Sequence, residues 1–278
     1  MKIVDTFMFC NEYDILELRL SEHYEKVDKF IILEFDRTFT GIYKGFNLPA
    51  QLDRYSTWWD KVEYIQVSNC PSTANPWANE TWQRGHMNAA WQDLGKDDVI
   101  IISDLDEIFR PETIDFIRNT DYDLYFLYMP GFYLKFNYMD TDSHYSTWGR
   151  AIRGYQTEGE KMRYIKDFPG ARKVTLHHAG WHFGWLGDVK WIETKIKSFS
   201  HAAEYAWMHG NIDIDKHIQN NEDPQRRSKT WYPVKLDDYF PKTILNNLEK
   251  YQQWILPNID KTVQHYHPRN ILEIDQTE

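Results

Sequence analysis

The sequence predicts an α/β protein, with a mainly parallel sheet covered by helices. Three observations predict it. Through the first hundred residues, apolar runs of strand length alternate with segments of helical period. One of these runs, Val99 to Ile102, is four consecutive β-branched residues, the pattern of a strand buried on both faces. The chain has 278 residues, 42% hydrophobic and 27% charged, enough to bury one large core and ordinary for a globular protein. We read 1–278 as a single domain, divided by function near residue 130 into a first half (1–130) and a second half (131–278).

Taken in order, residues 2–10 (KIVDTFMFC) and 29–35 (KFIILEF) read as buried strands. Between them Leu16, Leu20 and Tyr24 recur at helical spacing, widened by Ile15 and Leu18. A second helix is expected around 48–60 and a strand at 62–67. Residues 76–95 read as a long helix with either Trp82 and Met87 or Ala89 and Ala90 available to face the sheet, and Gly95 to end it. The strand at 99–102 runs into Asp104, Asp106 and Glu107, after which Pro111 and Glu112 suit the first turn of a helix. In the second half, 123–137 and 148–155 read as aromatic strands. Around Gly180, Gly184 and Gly187 a loop with close backbone approaches is expected, leading into a helix at 189–200. Beyond 205 the pattern is polar and helical, broken by Pro224, Pro233 and Pro241.

The bulk numbers exclude several classes. A net charge of −10 argues against nucleic acid as a partner, because phosphate binding needs a basic face. Cys10 and Cys70 lack any metal-binding spacing and read as core thiols. No apolar run is long enough for a membrane span or a leader, so a cytoplasmic protein is expected. Phosphate-loop, dinucleotide, zinc-protease and serine-hydrolase motifs are all absent. With 12 Trp, 18 Tyr and 15 Phe, the chain has flat surface to spare, for a large core or for sugar rings.

The chemistry concentrates in two places. Asp104 and Asp106 follow a buried strand directly, where two carboxylates spaced by two can converge on one hard divalent cation, and a cation so held neutralises a diphosphate leaving group. Acids two apart are also common on solvated loops; placement at the carboxyl end of a strand, where open α/β sheets bind ligands, favours the site. Asn11, Glu12, Asp14, Glu34 and Asp36 follow the first two strands and can line the same crevice, or cap helices. Arg84 and His86 are within reach of phosphates from the long helix. The second place is His177 to Trp185, three imidazoles and two indoles in nine residues, read as a ligand-facing loop in which one His, with His182 the metal candidate, can complete the metal's shell or hold a phosphate and Trp181 and Trp185 can support a sugar, against structural histidines packed on aromatic walls. Lys190, Lys195 and Lys197 follow; Lys195 and Lys197 are candidates for the diphosphate, against a solvated helix face.

The run IVDTFMFCNEYDILELRLSEHYEKVDKFIILE, then EFDRTFTG at 34–41, SDLDEI, and HAGWHFGW with KIKSFSHAAEY together resemble glycosyltransferase family 17, over residues 3 to about 205. That family includes the β-1,4-mannosyl-glycoprotein β-1,4-N-acetylglucosaminyltransferases. The resemblance implies a GT-A type fold with a Rossmann-like mixed sheet flanked by helices, and inverting transfer from a UDP-sugar, UDP-N-acetylglucosamine, to a glycan acceptor. It implies Mn²⁺ or Mg²⁺ at Asp104 and Asp106 with Glu107 beside them, Asn11, Glu12 and Glu34 bordering the nucleotide, and His178 and His182 near the donor. The first half then holds the donor and the second the acceptor. A base must take the acceptor proton, and Glu107, Glu158 and Asp188 remain open for that role. Two rival readings are a nucleotidyltransferase or phosphotransferase using the same acids, and a carbohydrate-binding protein without catalysis.

Overall fold

A computed structural model describes residues 1–87, 94–140, 149–154, 165–223, 225, 231–257 and 273–275. Its strands and first helices are β1 (Ile3–Phe9), α1 (Tyr13–His23), β2 (Lys29–Phe35), β3 (Val62–Val67), α2 (Pro76–Gly85), β4 (Val99–Ile102), β5 (Glu107–Phe109), α3 (Pro111–Asn119), β6 (Leu124–Leu127), β7 (Gly131–Tyr133), β8 (Tyr138–Asp140), β9 (Arg150–Arg153), β10 (Lys173–His177), β11 (Gly180–Gly184), β12 (Trp231–Pro233) and β13 (Glu273–Asp275). Later helices include Val189–Ser198, here the lysine helix, and the short helix Ile214–Gln219.

The larger sheet has eight strands in the order β13-β10-β6-β9-β4-β1-β2-β3. Strands β3, β2, β1 and β4 are mutually parallel, as expected. The sheet as a whole is mixed, because β9 runs antiparallel between β4 and β6. Period-two alternation distributes its apolar residues to two cores. Ile3, Phe7 and Phe9 of β1 with Val99 and Ile101 of β4 pack on the α1 side. Val4, Ile100 and Ile102 pack on the other, where Trp82 of α2 and Met87 cover them. Helices therefore flank both faces.

A second, five-stranded sheet (β12-β8-β7-β11-β5) was not expected. The segment read as a glycine loop is strand β11, hydrogen-bonded to β5 and β7. The glycines do mark close approaches: a Cβ on Gly180 would lie 2.0 Å from the Ile108 carbonyl oxygen, and one on Gly184 would lie 2.6 Å from the Tyr133 ring. They serve strand packing, and not a binding loop. The expected helix at 48–60 is a 3-10 segment, Leu48–Lys61, and the long helix ends at Gly85, with Ala89 and Ala90 outside the described residues.

Candidate active site

From β1 the chain builds outward through β2 to β3, then crosses to place β4 on β1's other side. The order reverses between β1 and β4, and in open α/β sheets such a reversal opens a crevice at the strands' carboxyl ends. The turns after β1 (Cys10, Asn11, Glu12) and β4 (Asp104, Leu105, Asp106) both line a cavity of about 1050 Å³ there. Asn11 makes its turn with φ of +69°, a left-handed conformation that Asn tolerates better than most residues, and its side-chain oxygen accepts from Asn47 Nδ2 at 2.8 Å.

A buried clamp shapes the acidic turn from beneath. Arg19 of α1 is fully buried. Its Nε and Nη2 donate to Asp5 at 3.0 and 2.6 Å, Nη2 also to Ser103 Oγ at 2.7 Å, and Nη1 to the carbonyls of Asp104, Leu105 and Glu107 at 2.7, 3.2 and 2.9 Å. His23 completes the clamp, one ring nitrogen 2.8 Å from Asp5 and the other against the Phe109 backbone. Burial pushes the Asp5 carboxyl up, but Arg19 and His23 outweigh it and hold it at about 2. Glu107 works in the same turn: buried, it accepts from the Asp104 backbone N–H at 2.9 Å and does not line the cavity.

Above the clamp, the acids face the cavity. Asp104, 38% exposed at its side chain, accepts from Arg84 Nη2 at 3.1 Å, while Arg84 is held by Glu80 of its own helix. Asp106, 14% exposed, lies 3.3 Å from Lys195 Nζ and 3.7 Å from His182 Nε2. Lys195 loses charge stability to burial, yet Asp106 and Glu12 more than restore it and raise its pKa. Glu12, on the cavity floor, is pushed up to about 7, by burial first and by Asp106, with Lys195 opposing. Arg37, Lys44, Lys190 and Lys197 add positive charge to the lining. With Arg84 and Lys195 that makes six cations against the five carboxylates of Glu12, Glu80, Asp104, Asp106 and Asp188, a local concentration of positive charge in a protein of net charge −10.

The lysine helix roofs the cavity. Asp188 caps it, accepting from Trp191 N at 2.7 Å, and Thr40 stitches it to the β2 loop by donating to the Lys197 carbonyl at 2.7 Å. At the mouth, Trp77 stands 45% exposed, its ring 4.5 Å from His201.

Other predicted residues lie elsewhere. Glu34 is fully buried, and its carboxylate accepts from the backbone of Asn47 and Leu48, from Lys44 Nζ and from Tyr64 Oη, so it supports the cavity wall without lining it. His178 lies in the turn between β10 and β11, whereas His182 is in the middle of β11; His178 is buried beside Arg110 and 3.4 Å from Tyr239 Oη, and burial, then Arg110, pushes it down to about 4. Trp181 and Trp185 are buried core rings, the first stacked under Arg110, and neither offers a face to a sugar. Cys10 is no core thiol but part of the cavity lining. Glu158 lies outside the described residues. Arg19 went unnoticed in the sequence, although an Arg between Leu18 and Leu20 and an Asp inside the apolar β1 were the available signal.

The family model for glycosyltransferase family 17 matches residues 1–223 of the chain. The chain belongs to glycosyltransferase family 17. No curated protein sequence matches it. The matched span carries the clamp, both acids, Arg84 and the lysine helix; beyond it, β12 is the edge strand of the second sheet, Phe240 packs on Phe132 of β7, and β13 pairs with β10 in the first sheet. As a family 17 glycosyltransferase the protein must hold a sugar donor and an acceptor. Among the described residues, no three His, Cys, Asp or Glu side chains converge as a metal cage, and no helix is long and apolar enough to cross a membrane.

Proposed function

We propose that this glycosyltransferase transfers N-acetylglucosamine from UDP-N-acetylglucosamine to a glycan, with inversion and on a GT-A type frame, with Mn²⁺ or Mg²⁺ held by Asp104 and Asp106. One observation carries the reading: two carboxylates at the switch point between the parallel strands β1 and β4 face a large cavity whose other charged residues are six Lys and Arg against Glu12, Glu80 and Asp188. The donor set fits a hard cation, since two carboxylates leave most of its shell to phosphate oxygens and water, the arrangement such ions take at diphosphates. Bound there, the cation would act as a Lewis acid on the charge developing on the departing phosphate.

The chain's own residues do the rest. Lys195 and Arg84 stand beside the acids, placed to take phosphate oxygens by charge-assisted hydrogen bonds. Asn11 and Glu12 border the nucleoside from the β1 turn. Glu107 and Arg19 keep the acidic turn in one shape, so no reorganisation is needed as charge develops.

The test is a donor screen read by UDP release with and without Mn²⁺, with UDP binding followed by calorimetry. UDP-N-acetylglucosamine is expected to turn over in preference to other donors, and Asp106→Ala to lose roughly 10²–10³-fold in rate, the scale of one lost transition-state charge contact. Full activity in Asp106→Ala with metal present sinks the metal role. Pyrophosphate as product would mean nucleotidyl transfer, and glycan binding without any affinity for UDP would mean a binding protein.

A further inference from the structure

Beyond the lysine helix's first turn lies a second, open groove of about 650 Å³, within the ~300–1,000 Å³ usual for ligand sites. Three stretches wall it: 187–189 at the start of the lysine helix, 210–215, and Lys135 with Gln253 and Trp254. Among the described residues, Asp188 lines both this groove and the donor cavity, and no other residue does.

That position has a chemical meaning. In a displacement at the anomeric carbon, the acceptor hydroxyl enters from the side away from the diphosphate, and the base must reach its proton. A residue at the boundary of a donor cavity and a neighbouring groove satisfies both conditions. Asp188 is exposed and lines both spaces, and one of its carboxylate oxygens is spent on capping the lysine helix at Trp191 N, which fixes the group in place. The groove's chemistry also narrows its occupant. Trp254, partly exposed with its Nε1–H tied to Asp14 and the Lys135 ammonium 5.7 Å from its ring centre, brings to the groove an indole of the kind on which sugar rings stack. Asp188, Asp213 and Asp215 line it against a single cation, Lys135. Such a balance accepts hydrogen bonds from hydroxyls and repels anionic sugars.

We propose that this groove binds the acceptor, an uncharged oligosaccharide, and that Asp188 is the base for the transfer. The inference rests on the donor reading above. The acceptor oxygen forms a bond to the anomeric carbon, the bond from that carbon to the diphosphate oxygen breaks, UDP leaves with the electron pair, and the hydroxyl proton passes to Asp188 and then to water.

Three variants test it, with UDP-N-acetylglucosamine and Mn²⁺ as donor system and neutral trisaccharides ending in mannose, glucose or N-acetylglucosamine as acceptors. Asn caps helices as well as Asp, so Asp188→Asn keeps the lysine helix and removes only the base; kcat for transfer is expected to fall roughly 10²–10⁴-fold, with UDP affinity changed less than about threefold. Trp254→Ala and Asp215→Asn are each expected to raise the acceptor KM about tenfold or more, at unaltered UDP affinity. Asp215 is exposed, so its variant carries the KM readout even if loss of Trp254 unfolds the chain. Wild-type kcat in Asp188→Asn, or a wild-type acceptor KM in Asp215→Asn together with folded Trp254→Ala, overturns the proposal. Wild-type protein that binds no UDP with Mn²⁺ overturns the donor reading and this one with it, and that result appears before any acceptor is added.

Discussion

Acids meet bases in two layers of this molecule, one above the other at the end of β1 and β4. Below, Asp5, Arg19 and His23 form a clamp with no solvent access. Above, Asp104 pairs with Arg84 and Asp106 with Lys195 at the cavity wall, with side-chain exposures from 7 to 38%. The residue types are the same, and burial gives them opposite roles. In the clamp, every partner is irreplaceable, because water cannot enter to take over a lost contact. At the wall, a carboxylate and an ammonium can exchange each other for a ligand's charges at small cost. The lower layer holds the turn in shape so that the upper layer can change partners.

The comparison breaks if the layers respond alike to substitution. The largest effect is expected at Arg19→Met, which strands Asp5 and three turn carbonyls and should cost roughly 3–5 kcal/mol in urea unfolding; a cost below about 1 kcal/mol would place the clamp with ordinary surface pairs. Next comes acid. The Asp5 pKa is depressed from 3.8 to about 2, so its contribution is complete above the unfolded value and disappears as pH falls through the folded one. The stability difference between wild type and Asp5→Asn should therefore close by about 2 kcal/mol between about pH 4 and pH 2, and a difference that stays constant would contradict the ion pairing. Smallest is Lys195→Ala in the upper layer. It should leave unfolding within about 1 kcal/mol of wild type yet weaken UDP binding about tenfold, the worth of one charge-assisted hydrogen bond. Unchanged UDP affinity would take Lys195 out of the site.

Strands β1 to β4 were legible because each is a local apolar run with a local end, and their boundaries agree with the sequence reading to within a residue. The second sheet was not. Its strands are three to five residues long, and β5 and β11, which pair, are separated by seventy residues of chain. The glycines of β11 carried the right physical message of close approach, and only the partner backbone at Ile108 shows that the approach is strand to strand. Of the histidines, His182 faces Asp106 from the middle of β11 while His178 is buried in the turn before that strand, a distinction the spacing of four does not contain.

The sequence by itself determined the α/β class, the parallel strands of its first half, the acidic pair at a strand's end and the family, since all of these are written in contiguous residues. Only the tertiary structure decided which charges lie under the turn and which above it, that Glu34, Glu107 and His178 are wall or core, and that Asp188 stands between two cavities. The physical reason is that desolvation and hydrogen-bond partnership depend on what the chain brings from far away, and a side chain's role follows from those two quantities more than from its type.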